Sequence, residues 1–196
     1  DSMVIGEKQI LDQVRAMQEN LLQNNKNYFL LKKIFIDALL CGEEVHNKTQ
    51  LGSDERSISL KLVKNAMAFT ANRKELNILL IGAGETSALT ARHFIDAGAT
   101  KIVIANRHEE RARYLAETLD VNYIAYNQIL NVLKDMDIVI TATHSMEHLL
   151  KKEDIRKIYF GKKRRKILFI DISNPRNIDP EIRQVEGITL LDIDHL

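Results

Sequence analysis

The stretch Leu76-Asn-Ile-Leu-Leu-Ile-Gly-Ala-Gly-Glu-Thr-Ser-Ala-Leu-Thr-Ala-Arg-His-Phe94 decides the fold, because a short apolar run meets two glycines and then turns helical. The run from Ile78 to Ile81 is rich in branched residues and too short for a helix, so it suits a strand buried on both faces. Gly82 and Gly84 let the backbone turn sharply and approach a pyrophosphate with no Cβ in the way. The helix that follows begins near Glu85, so the N–H groups of Glu85, Thr86 and Ser87 and the positive end of the dipole face the phosphates. Ser87 stands where the third glycine of a Gly-x-Gly-x-x-Gly pattern would be, and a small residue there still allows close helix–strand packing.

A second strand, Lys101-Ile-Val-Ile-Ala105, follows about one helix later and ends in Asn106-Arg107-His108, where the adenosine ribose of a dinucleotide should lie. An NAD site usually places an acidic residue there to accept from the 2′-hydroxyl. This chain has Asn106 and Arg107, with Arg111 one turn on, and polar and cationic groups favour a 2′-phosphate. The residues therefore predict NADPH as cofactor. A plain strand-to-helix turn, with Asn106 as N-cap and surface arginines, would use the same residue types.

Outward from this centre, strands and helices alternate. Strands are expected at 76–81, 101–105, 121–125, 137–142, 167–171 and 188–191, with helices at about 85–97, 108–119, 127–133 and 152–158. Such alternation means right-handed crossovers and a Rossmann-like, doubly wound parallel sheet of order 3-2-1-4-5-6, with ligand at the carboxyl ends of the strands. Upstream, Ile10, Leu11, Val14, Met17, Leu21 and Leu22 recur at helical spacing between Glu7 and Leu22. A turn at 24–27 and a second helix from Tyr28 to about Val45 complete an expected helical hairpin. A third helical pattern runs from Ser57, a plausible cap, to about Ala71. The polar segment 48–55 reads as a connector, giving a helical part over 1–50 and a nucleotide-binding part over 51–196.

Composition sets outer limits. The 196 residues hold one ordinary domain plus a smaller piece, and 45% apolar content supports a core. With 28 basic and 27 acidic residues, overall charge does not single out nucleic acid. One cysteine rules out an internal disulfide framework. The sequence shows neither a bilayer-length apolar run nor a signal-peptide pattern, which predicts a cytoplasmic protein with no membrane partner. It opens on Asp1 without an initiator methionine, as a fragment would.

Several separated stretches then agree with one family. They are Asp1-Ser2-Met3-Val4-Ile5-Gly6-Glu7-Lys8-Gln9-Ile10-Leu11, Gly82-Ala-Gly-Glu85, Ala105-Asn106-Arg107 with Arg111-Ala112, Thr141-Ala142-Thr143, the run from Asp171 to Pro180 and the closing Leu191 to Leu196. By these the chain resembles glutamyl-tRNA reductase along its whole length. The resemblance implies NADPH-dependent reduction of glutamyl-tRNA to glutamate-1-semialdehyde, in tetrapyrrole synthesis, through a cysteine thioester that hydride releases. It also implies that the nucleophile belongs to a catalytic domain preceding Asp1, and that a helical homodimerisation domain follows Leu196. This chain would then carry no catalytic nucleophile and would be inactive alone.

The same resemblance places Ser2, Glu7 and Gln9 in the glutamate-recognition pocket; a helix N-terminus would use similar residues. Thr141 and Thr143, with His144 and Ser145, follow the fourth strand where the nicotinamide half should pass. His144 departs from the small residue the family pattern expects there. His144 and His148 have the spacing of a metal pair but no third ligand nearby, so no metal is expected. Cys41 is followed closely by Glu43 and Glu44, which disfavour a thiolate, and it reads as a packing residue. The cationic run 162–166 fits either phosphates or a solvated loop. Two other readings remain open: a stand-alone NADP-dependent dehydrogenase similar to shikimate dehydrogenase, and a non-catalytic nucleotide-binding module.

Overall fold

In the computed structural model, residues 8–23, 28–49, 58–71, 75–159 and 166–192 are described. The chain divides into two compact units, Asp1–Leu60 and Lys61–Leu196. In the first, helices α1 (Lys8–Gln23) and α2 (Phe29–Thr49) pair. Arg15 donates to Asp12 and to Glu43, at 2.7 Å each, tying the two helices. Gly42 lets them approach closely, since a Cβ there would stand 2.6 Å from Leu11 Cδ1. The helix α2 runs to Thr49, past the expected end near Val45. Local bonds carry the extra turn: Lys48 pairs with Glu44, and Thr49 donates to the Val45 carbonyl. The expected cap at Ser57 lies outside the described residues.

The second unit is built on a six-stranded, all-parallel sheet of order β3-β2-β1-β4-β5-β6. Its strands are β1 (Asn77–Ile81), β2 (Lys101–Ala105), β3 (Asn122–Ile124), β4 (Ile138–Thr141), β5 (Ile167–Asp171) and β6 (Ile188–Asp192). Each lies within a residue of its expected position, and the order is the expected one. The helices are α3 (Ile58–Phe69), α4 (Glu85–Asp96), α5 (Glu109–Leu119), α6 (Ile129–Val132) and α7 (Lys152–Tyr159). The expected helix at 127–133 is broken, with α6 reduced to one turn between 3-10 turns at Tyr126–Gln128 and Leu133–Asp135. The expected third helix ends early because Ala71 takes a left-handed φ of 53°.

The period of two in a strand sends alternate side chains of these apolar runs to opposite faces. Ile78, Leu80, Ile140, Leu168 and Ile170 pack with Leu62, Val63 and Ala66 of α3 and Ala91 and Phe94 of α4. Leu79, Ile81, Val139 and Phe169 pack on the other face with Ile129, Leu133, Ile155 and Ile182. Both faces of β1, β4 and β5 are thus covered, and each large side chain fully buried there contributes about 1.5–3 kcal/mol. The consequence for function is positional: the carboxyl ends of β1, β2, β4 and β5 come together at one sheet edge. Among the described residues no helix is long and apolar enough to cross a membrane.

Candidate functional site

β1 delivers the chain into the glycine turn at the middle of the sheet. Gly82 has φ 126°, and a Cβ on it would stand 2.2 Å from the Ala142 carbonyl oxygen. Only glycine fits so close to the backbone that leaves β4. Gly82 also donates to the Ala105 carbonyl at 2.8 Å, so the turn is hydrogen-bonded to the end of β2. Gly84 differs: it is exposed, and a Cβ on it would meet nothing within 4 Å. It is the N-cap residue of α4, and among the described residues no side chain caps that helix. The first N–H groups of α4, at Glu85, Thr86 and Ser87, therefore open onto a bare backbone cradle of the kind that takes anionic oxygens. Ser87 is fully buried, and among the described residues its Oγ has no hydrogen-bond partner.

Asn106 and Arg107 stand at the end of β2. Asn106 Nδ2 donates to the His108 carbonyl at 3.0 Å, and His108 rather than Asn106 is the N-cap residue of α5. Arg107 is exposed and reaches Ser145 Oγ at 3.4 Å, across to the loop after β4. Half-buried Tyr126, which local sequence does not signal, is in the same region. Burial pushes its phenol above the ordinary value, the Arg107 charge works against that, and Glu147 adds to it. Arg111, on the first turn of α5, lines a cavity of about 390 Å³ with Ala83, Gly84, Glu85, Ala88 and Tyr114. The expected residues of the glycine turn and of α5 thus come together around this cavity, whereas Asn106 and Arg107 do not line it.

At the end of β4, Thr141 is fully buried and faces inward, donating to Asp171 Oδ1 at 2.8 Å. Thr143 is partly exposed. Its Oγ1 donates to Asn177 Oδ1 and accepts from the Ser145 N–H, and its own N–H donates to Ser173 Oγ at 3.1 Å. Asp171, Ser173 and Asn177 were not among the sequence-chosen residues. The available signal was a carboxylate closing the buried run Ile167–Asp171, since a charge so placed needs partners.

Ser2 and Glu7 lie outside the described residues; Gln9 falls in the first turn of α1, its side chain outside the description. His144 and His148 are exposed, and among the described residues no group of three His, Cys, Asp or Glu could hold a metal ion. Residues 160–165, most of the basic run, also lie outside the description, whereas Lys166 is exposed just before β5.

Comparison with known proteins gives this geometry a family. The model of shikimate / quinate 5-dehydrogenase matches residues 62–196, and that of the glutamyl-tRNA reductase N-terminal domain matches residues 1–49. A glutamyl-tRNA reductase of Desulfitobacterium hafniense is 39% identical over all 196 residues, which span 44% of that protein. The glutamyl-tRNA reductase of Methanopyrus kandleri superposes with a TM-score of 0.66 at 28% identity, over 98% of this chain and 49% of that one. The nucleotide-binding domain of the Thermoplasma volcanium glutamyl-tRNA reductase gives 0.52 at 25% identity, over 71% of this chain and 87% of that one. The chain spans less than half the length of the curated relatives it matches. It belongs to the glutamyl-tRNA reductases, a family of oxidoreductases, and carries over residues 62–196 the fold shared with the shikimate / quinate 5-dehydrogenases.

Proposed function

We propose that this chain binds NADPH, and that within an intact glutamyl-tRNA reductase it presents the cofactor to the glutamyl group of glutamyl-tRNA, which is reduced to glutamate-1-semialdehyde. The observation that carries the reading is the start of α4 at the end of the central strand, where the N-cap residue is Gly84 and, among the described residues, no side chain caps the helix. Gly84 leaves open space where a pyrophosphate needs it, and the N–H groups of Glu85, Thr86 and Ser87 supply donors to its oxygens. Arg107 and Arg111 would pair with the 2′-phosphate, with Asn106 beside the ribose. Thr143 would stand against the nicotinamide half, while Thr141 acts from the interior through Asp171. Bound NADPH supplies a hydride; the protein's part is to hold and orient it and keep water from it.

The substrate-side assignment for Ser2, Glu7 and Gln9 and homodimerisation through a further domain rest on the family alone, and the boundary near residue 50 rests on the polar segment 48–55. The chain's one cysteine, Cys41, lies exposed in α2 with Glu43 and Glu44 on the same helix. We assign it no role as nucleophile, so these residues alone would bind cofactor without completing the reduction.

Titration of the chain with NADPH and with NADH tests the reading. NADPH should bind more tightly, and Arg107→Ala should remove most of that preference, costing about 1–3 kcal/mol for NADPH and little for NADH. Equal losses for both cofactors would defeat the 2′-phosphate assignment. Oxidation of shikimate or quinate with NADP⁺ by the chain would instead favour a stand-alone dehydrogenase.

A further inference from the structure

We propose that Asp171 is a positioning residue for the nicotinamide half of the dinucleotide site, an inference that rests on the nucleotide-binding reading above. Its buried carboxylate shapes the two loops that leave β4 and β5. Asp171 closes β5, in register with Thr141 at the end of β4, and is only 2% exposed. Each of its oxygens takes two hydrogen bonds. Oδ1 accepts from Thr141 Oγ1 at 2.8 Å and from the Ser173 N–H at 3.0 Å. Oδ2 accepts from the N–H groups of Asn177 at 2.7 Å and Ile178 at 2.9 Å. Three of the four donors are backbone groups of the segment that follows β5, so the carboxylate folds residues 172–178 around itself.

Asn177 carries that constraint to the other loop. It is fully buried; its Oδ1 accepts from Thr143 Oγ1, and its Nδ2 donates to the carbonyls of Ser145 at 2.8 Å and Pro175 at 3.2 Å. Ser173 adds a second link by accepting from the Thr143 N–H. The segment from Ala142 to Ser145 is thereby fixed from the β5 side. On its other side, the Ala142 carbonyl stands where a Cβ on Gly82 would be. The loop that leaves β4 is thus set against the glycine turn with the help of a buried carboxylate. A carboxylate in so buried a position is costly unless its lone pairs are used, and here three of its four bonds define the geometry of the loop after β5 while the fourth ties the ends of β4 and β5. An apolar residue of similar size would fill the space and leave three backbone N–H groups unpaired.

The test compares two ligands that differ at the far end of the site. NADPH engages both halves, whereas 2′,5′-ADP carries only the adenosine and 2′-phosphate. In the full chain, Asp171→Asn replaces one acceptor oxygen by a donor facing N–H groups. It should weaken NADPH about tenfold or more, for one to two charge-assisted bonds lost, and leave 2′,5′-ADP within about twofold. Thr141→Val, which removes a single bond to the same carboxylate and keeps the shape, should show the same selectivity at smaller size, and it decides the matter if Asp171→Asn does not fold. Equal weakening of both ligands, or unchanged NADPH affinity, would overturn the inference while leaving the dinucleotide reading intact. Failure of the unmodified chain to bind either ligand would overturn the dinucleotide reading and this inference with it.

Discussion

Gly82 and Gly84 are near neighbours in the turn, yet a side chain meets different obstacles at each. At Gly82 a Cβ collides with the Ala142 carbonyl in a backbone conformation, φ 126°, that side chains rarely adopt. Gly82→Ala should therefore destabilise the fold by roughly 2–4 kcal/mol, from strain together with the forced displacement of β4's exit. At Gly84 the Cβ meets nothing in the free protein. Gly84→Val should leave the urea midpoint nearly unchanged and abolish binding of both NADPH and NADH, because the obstacle falls where a pyrophosphate would lie. A midpoint shift comparable to that of Gly82→Ala, or retained affinity, would show that the turn works differently. The two variants separate folding from binding within one short loop.

At the scale of the element, Asp179 joins two short pieces of structure. Its carboxylate accepts from the Glu181 N–H at the start of the 3-10 turn Pro180–Gln184 and from the Lys152 N–H at the start of α7. Partial burial pushes its carboxyl up, but those two backbone donors, with the His148 and Lys152 charges, outweigh it and hold the value below the ordinary 3.8. A lowered carboxyl value means that the folded state binds fewer protons than the unfolded one. The stabilisation is then fully present above pH 3.8 and lost as pH falls through the lower folded-state value. Asp179→Ala should cost about 1 kcal/mol at neutral pH, and the gap from the parent chain should narrow as pH falls below 3.8. A gap that persists in acid would assign the cost to packing instead.

Elements were also where the sequence was most legible, and for identifiable reasons. The runs Ile78–Ile81, Ile138–Ile140 and Ile167–Ile170 are apolar on both faces and too short for helices, and only a covered parallel sheet suits such runs. What escaped was set by groups distant in sequence. The stretch from Asp171 to Asn177 reads locally as a turn, and nothing in it says that Asp171 points inward to Thr141 or that Asn177 reaches back to Thr143. The start of α5 fell within a residue of its expected place, and only the alternative reading of Asn106 as its cap fails: Asn106 bonds the His108 carbonyl and leaves the capping position to His108.

For the molecule as a whole, the order of the strands matters beyond placing the ligand. β1 pairs on one side with β2, where Ile78 faces Ile102, and on the other with β4, where Ile78 faces Ile138. The strand carrying the glycine turn therefore keeps a bare edge until a much later part of the chain has docked, and such non-local pairing is slow to form. In hydrogen exchange, the amides of β1 and β4 should open only with global unfolding, while those of β3 and β6, at the two margins of the sheet, open locally and sooner. β1 amides exchanging as fast as those of β3 would contradict this. During synthesis, the turn gains its permanent neighbour at Ala142 only when β4 arrives, so a folding error anywhere between β2 and β4 would leave a chain with the right glycines and no wall beside them.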